Sequence, residues 1–199
     1  MAKVLVVNHV TLDGVMQAPA RPDEDTRDGF ARGGWASARD DKLMSARIGE
    51  RMGSDRAFLF GRRTYEDFYT VWPARTDSPF SAALTGTPKY VASRTLNEPL
   101  PWSNSILLHG DAAEAVASLK QQPLGTLTIF GSGELIASLM AADLIDEYLL
   151  MIHPLVLGSG RRLFRSGQQA RLRLLDAVTT RTGVVIADYE PLADATTRP

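Results

Sequence analysis

The chain contains no cysteine in 199 residues. That excludes disulfides, thiolate nucleophiles, iron–sulfur ligation and every cysteine-based zinc site, the zinc-type nucleobase deaminases included. It also lacks an excess of charge: 22 basic residues face 23 acidic ones, a formal net charge of -1. The long-range field on which nucleic-acid binders and membrane-surface proteins rely is therefore missing, and the expected partner is a small molecule rather than nucleic acid or membrane. No segment approaches the ~18 consecutive apolar residues of a membrane span. The apolar run in MAKVLVVNHV is short for a signal peptide, so a cytoplasmic protein is expected. Only three histidines are present, and no set of His, Asp and Glu has metal-ligand spacing, so no metal is expected.

What is present is a strand and helix rhythm. The length suits one domain with a single core, burying on the order of 70% of the unfolded chain's surface. Val4 to Val7 read as a strand buried on both faces, followed by a polar loop from about 11 to 36 that contains Pro and Gly. A loop of that length in a compact domain is usually functional. Leu43, Met44, Ile48 and Met52 recur at helical spacing, which predicts a helix over 37–52. AFLF at 57–60 is a second buried strand, and Arg62 to Phe68 a second helix. Strands near 89–93 and 105–109, a helix over 111–121, the strand TLTIF and the apolar stripe Leu135, Ile136, Leu139, Met140 continue the alternation. The strand EYLLMIHPLVL follows. RLRLLDAV and GVVIADYE then alternate around a turn, as an antiparallel hairpin does. The expected fold is a three-layer α/β single domain over 1–191, with a mostly parallel central sheet and antiparallel C-terminal strands. Residues 192–199 are small and polar, and a disordered tail is expected there.

In an open parallel sheet, ligands bind outside the carboxyl ends of the strands. Those ends carry TLDG at 11–14, GRRTYE at 61–66, SRT at 93–95 and GSGE at 131–134. A strand ending in Gly131-Ser132-Gly133 and feeding a helix points backbone N–H groups and a positive dipole end at one spot. Taken alone, the tripeptide is equally a tight turn. It is no Rossmann fingerprint, because Ile136 holds the third glycine position, and no P-loop sequence is present. Two arginine-bearing strand ends and one Gly-x-Gly turn on one edge suit a ligand with several phosphates, such as a dinucleotide.

The set TLDG, FGRRTYE, YVASRTL, IFGSGELI and HPLVLGSGRRLF, in that order over about residues 3–190, resembles the dihydrofolate reductase-like family. It is most similar to the branch that contains the reductase domain of bacterial riboflavin biosynthesis. The resemblance implies NADPH as hydride donor, a homodimer, and an oxidoreductase acting on a small planar heterocycle or carbonyl substrate. It also implies that Gly61, Arg62 and Thr64 form a cofactor motif, that Ser93, Arg94 and Thr95 surround the adenosine 2′-phosphate, and that Gly131, Ser132, Gly133 and Glu134 meet the pyrophosphate. The chain departs from the riboflavin-pathway pattern at Val15, where a basic residue is usual.

Asp13 is the motif carboxylate at the end of the first strand. It is the candidate catalytic residue, as proton donor or through an ordered water beside it, and the candidate substrate anchor. Asp-Gly is also ordinary turn chemistry. Trp35 could stack on a flat substrate or pack a core or lid. Asp40 and Asp41 suit a helix first turn. His9 and His153 fall in predicted strands and read as hydrogen-bonded core residues. Gly158, Gly160, Arg161 and Arg162 form a second Gly-x-Gly, expected to be structural or near a dimer edge. The rival function is a nucleotide- or pterin-binding protein without turnover.

Overall fold

A computed structural model describes residues 1–192. The predicted tail falls, beyond Leu192, outside the described residues. Eight strands form one sheet in the order β4-β3-β2-β5-β1-β6-β8-β7, and the architecture is three-layer α/β, mostly parallel, with antiparallel C-terminal strands. The strands are β1 (Lys3–Thr11), β2 (Arg56–Gly61), β3 (Lys89–Ala92), β4 (Ser105–Leu108), β5 (Thr126–Phe130), β6 (Glu147–His153), β7 (Leu172–Thr179) and β8 (Val185–Pro191). By contacts the chain forms two compact units, one of residues 1–5 with 52–144, the other of 6–51 with 145 onward.

The first unit is the parallel half. β2 pairs with β3 and with β5, and β3 with β4, all parallel. Ala57 to Phe60 and Leu127 to Ile129 are buried without interruption, which is why these strands read as continuous apolar or β-branched runs. Four helices belong here: α2 (Arg62–Val71), α3 (Pro79–Gly86), α4 (Ala112–Lys120) and α5 (Gly133–Ala141). Phe58, Phe60, Phe68 and Phe130 meet ring to ring. Helix α3 was not foreseen, although its start obeys helix-capping chemistry: Ser78 accepts the Ser81 N–H and Pro79 takes the first turn. Lys89 closes its far end. Wholly buried, Lys89 donates to the carbonyls of Leu84 (2.6 Å) and Thr87 (2.9 Å) and lies over the Trp102 ring. Backbone oxygens thus replace the water that its ammonium gives up.

The second unit holds the long loop, α1 (Lys42–Met52, whose final residue falls in the first unit) and the antiparallel strands β6, β8 and β7. The helix predicted from 37 begins at 42, because Asp41 accepts the Leu43 N–H (2.8 Å) as a cap. Residues 37–39 form a separate 3-10 turn. The strand predicted through Leu157 ends at His153, before Pro154. The loop is packed rather than loose. Val15, Ala18, Phe30, Trp35 and Ala36 form a buried cluster. Arg47 of α1 pairs with Asp188 of β8 (3.1 Å) and with Asp176 of β7, which ties the helix to the hairpin.

Candidate functional site

In the parallel unit, the ends of β2 and β5 are laced together. Gly131 (φ 56) and Ser132 (φ 57) both adopt left-handed backbone, and the chain then enters α5. The Ser132 N–H donates to Thr64 Oγ1 (3.0 Å), while Ser132 Oγ accepts the Gly61 N–H (2.9 Å). Both hydroxyls are acceptors in these bonds, so each keeps its O–H hydrogen to donate elsewhere. The first intrahelical bond of α5 runs from Ile136 N–H to the Ser132 carbonyl (3.0 Å). The N–H groups of residues 133–135 therefore precede the hydrogen-bonded ladder at the positive end of the helix. A Cβ on Gly61 would make only ordinary contact with Ser132 (3.5 Å to Oγ). Glycine at 61 thus leaves room without being forced by a close approach.

Arg62, at the start of α2, is held by Glu66 one turn on (3.1 Å). Arg94 has no ion-pair partner among the described residues. It lines a cavity of about 460 Å³ together with Ser93, Glu98, Leu107 and His109, where β3 and β4 end. Ser93 Oγ accepts the N–H groups of Thr95 (3.1 Å) and Leu96 (3.0 Å), which fixes the turn that carries Arg94. Thr95 is outside the residues that line the cavity. Hydroxyl donors, the positive end of a helix and a guanidinium without an ion-pair partner are the kinds of group that bind phosphate oxygens.

The candidates of the other unit are arranged differently. The Asp13 carboxylate accepts from Thr11 Oγ1 (2.6 Å), from the N–H of Leu157 (3.2 Å) and from the N–H of Gly158 (2.9 Å), with Arg162 at 3.7 Å. These donors, the Thr11 hydroxyl foremost, hold its pKa down to about 2. A proton donor at neutral pH needs the opposite shift, so Asp13 is an ionised latch between the LDG turn and the 155–162 loop. Trp35 is 9% exposed, donates its indole N–H to the Gln17 carbonyl (2.8 Å) and sits edge-on to the His153 ring. It is a packing residue of the loop and offers no open face for stacking.

Sequence reasoning did not foresee that His9 Nδ1 and His153 Nε2 lie 2.8 Å apart. Burial, and for His153 also the charges of His9 and Arg39, lowers both pKa values to about 4. The two residues are 144 apart in sequence, and only the adjacency of β1 and β6 brings them together. Among the described residues no group of three or more His, Cys, Asp or Glu could hold a metal, and no helix is long and apolar enough to cross a membrane.

The fold is the three-layer α/β architecture of dihydrofolate reductase-like proteins. Two solved structures share it: a Shewanella sp. PV-4 protein named for riboflavin biosynthesis (TM-score 0.67, 22% identity, 96% of this chain and 99% of that one) and a pyrimidine reductase-like protein of Corynebacterium diphtheriae NCTC (TM-score 0.64, 12% identity, 97% and 93%). The RibD C-terminal domain model matches residues 2–186, and the chain belongs to that reductase-type family. Similar chains include the uncharacterized proteins YyaP (32% identical over 66% of this chain and 71% of its own length) and YwjB (29% over 58% and 63%), both of Bacillus subtilis (strain 168).

Proposed function

We propose that the protein is an NADPH-dependent reductase of a small planar heterocycle or carbonyl compound, with residues 1–191 acting as one domain in a cytoplasmic homodimer. The observation that carries this reading is the lacing of Gly61, Thr64 and Ser132 at the start of α5, which leaves two hydroxyl hydrogens beside the positive end of that helix for a pyrophosphate. Gly131 and Gly133 keep side chains out of that space. Glu134 lies in the same first turn, beside that anion site. Arg94, with Ser93 and Thr95 in its turn and Arg62 on the neighbouring strand end, meets the 2′-phosphate. Bound NADPH would supply the hydride, and the chain's own task is to orient substrate and keep water from the transfer. Asp13, ionised and held by three donors, positions the loop that it latches, so the proton comes from an ordered water.

The test is a calorimetric comparison of cofactors. NADPH is expected to bind more tightly than NADH by on the order of 10- to 150-fold, the worth of one charge-assisted contact at about 1.5–3 kcal/mol. Arg94→Gln should remove most of that preference. Equal affinity for the two cofactors would overturn the cofactor assignment. Tight NADPH binding with no oxidation across a panel of pteridines, pyrimidines and aldehydes would instead favour a binding protein without turnover.

A further inference from the structure

Three ionisable side chains, Arg94, Glu98 and His109, line the cavity of about 460 Å³ where β3 and β4 end. Arg94 has no ion-pair partner among the described residues, whereas Glu98 Oε2 lies 3.6 Å from His109 Nε2. That separation is too long for a hydrogen bond and short enough for an ion pair, which exists only while the imidazole carries a second proton. His109 and Glu98 are 75% and 54% exposed, so their pairing does little to hold the fold. Its effect falls on whatever enters the cavity. The next charged group along the chain, Asp111, is occupied at the start of α4, where its carboxylate accepts the N–H groups of Ala113 (2.8 Å) and Glu114 (3.2 Å). Ser93 Oγ accepts the N–H groups of its own turn. The charges that decide the matter are therefore Arg94, Glu98 and His109.

We propose that His109 is a specificity-determining residue for the cofactor's 2′-phosphate, which it recognises by taking up a proton when the phosphate enters beside Arg94. The inference rests on the cofactor reading above. A carboxylate in the same cavity is a like charge, and Glu98 opposes the dianion that Arg94 attracts. A neutral imidazole has one N–H. It serves either Glu98 or the phosphate, and its other nitrogen turns a lone pair on the group left over. The imidazolium donates from both nitrogens, so Nε2–H meets Glu98 and Nδ1–H is left for a phosphate oxygen. In the empty cavity Arg94 opposes a second positive charge, and the two negative charges of the phosphate reverse that balance. Protonation and phosphate binding therefore reinforce each other, by reciprocal linkage. The proton passes from a buffer acid or water to the ring nitrogen, and no other bond changes. NADH, which lacks the 2′-phosphate, takes up none. The preference for NADPH over NADH grows as pH falls and stops growing at about pH 6, where the phosphate itself takes a proton.

Calorimetry in HEPES and in Tris, whose ionisation heats differ, counts the protons. At pH 7.5 NADPH binding should take up about 0.4 proton, as expected of an imidazole whose proton affinity rises tenfold on binding, and NADH binding none. The preference for NADPH over NADH should fall roughly 5-fold from pH 6.5 to pH 8.5. His109→Gln keeps a donor that cannot be charged. It should lose the proton uptake and hold the preference near the wild-type value at pH 8.5 throughout. His109→Lys, charged at every pH used, should hold it near the wild-type value at pH 6.5. Glu98→Gln removes the like charge and should tighten NADPH at pH 8.5 by roughly 3-fold, with NADH unchanged. Both positions are exposed, and equal melting temperatures verify that each variant is folded. A wild-type preference that is large but flat with pH, or proton uptake that survives in His109→Gln, overturns the inference and leaves the cofactor assignment standing. Equal affinity for NADPH and NADH at every pH overturns both.

Discussion

The chain uses Gly-Ser-Gly twice, at 131–133 and at 158–160, and the two copies do opposite work. Both present backbone N–H groups, at 158–160 to a carboxylate and at 131–133, in the proposed function, to a phosphate. At 131–133 the turn opens a nine-residue helix and is steadied by hydroxyls that still have hydrogens to give. At 158–160 no helix follows, and the N–H of Gly158, with that of Leu157, is already spent on the Asp13 carboxylate. In the proposed function the first turn is an anion site for a ligand, whereas the second is filled by the chain itself. The sequence motif is identical, and what separates the two is the element that follows and the side chain that arrives from 145 residues away.

The surroundings sharpen the contrast. A Cβ on Gly160 would lie 2.7 Å from Val15 Cγ1 and 2.8 Å from Phe30 Cε2, at a backbone φ of 117 that only glycine adopts readily. Gly160→Val should therefore be the most damaging change, costing roughly 3 kcal/mol or more through overpacking and backbone strain together. In a chain of this size that lowers the melting temperature by about 6–12 °C. Gly133→Val should do the reverse. Gly133 is the first residue of α5 and has no positive φ, so a side chain there meets no left-handed backbone strain. NADPH affinity should nevertheless fall by about 100-fold, or ~2.7 kcal/mol, as the side chain enters the phosphate's space. A Gly133→Val protein that melts early, or a Gly160→Val protein that keeps its melting temperature, would abolish the distinction.

How far each copy could be read in advance follows from the same physics. Parallel strands buried on both faces announce themselves as apolar runs, so the β2, β5 and α5 order was legible, and with it the helix behind Gly133. The loop copy was expected to be structural or near a dimer edge, and its internal anion was not visible. Nothing local to Asp13 says that N–H groups at 157 and 158 will reach it, because that meeting depends on the Leu12 N–H bonding the Leu155 carbonyl (2.9 Å). The His9–His153 contact was hidden for the same reason. Lys89 was hidden differently: a lysine in a strand reads as solvated, and only the oxygens at the end of α3 make its burial tolerable.

Asp13→Asn tests the filled copy directly. The variant keeps the turn and loses the charge that three donors and Arg162 face, at an expected cost of roughly 2 kcal/mol. The acid limb of the stability curve separates charge from shape. The folded-state pKa of about 2 lies below the ordinary 3.8, so the unfolded chain binds the proton first as pH falls. The stabilisation from Asp13 is complete above about pH 3.8 and is lost as pH drops through about 2. Urea unfolding from pH 5 to 2 should show this limb in the wild type and a shallower one in Asp13→Asn. The histidine pair contributes a separate limb. Both rings titrate at about 4 in the fold against 6.5 outside it, so their contribution is complete above pH 6.5 and declines toward pH 4. Equal curves for the two proteins below pH 4 would show that the loop copy does not depend on an internal anion.

The smallest expected effect concerns Thr64, and it decides whether the ligand copy is preorganised by its neighbours or shaped by the ligand. Thr64 Oγ1 is the acceptor for the Ser132 N–H, and its methyl lies near Gly131, where a Cβ would come within 3.5 Å. Thr64→Val keeps the shape and removes the acceptor, which leaves one backbone N–H unpaired in a half-buried turn. The stability loss should be about 1 kcal/mol, and NADPH should weaken by roughly 10-fold, because one hydroxyl donor is lost and the left-handed Ser132 is held less firmly. Thr64→Ser retains the oxygen and should bind NADPH within about 2-fold of the wild type. Calorimetry on the three proteins reads both arms. If Thr64→Val loses stability while NADPH affinity is untouched, the hydroxyl only laces the turns, and the donors to the cofactor are the helix N–H groups alone. If Thr64→Ser fails as badly as Thr64→Val, the methyl packing, and not the oxygen, is what holds the left-handed pair ready.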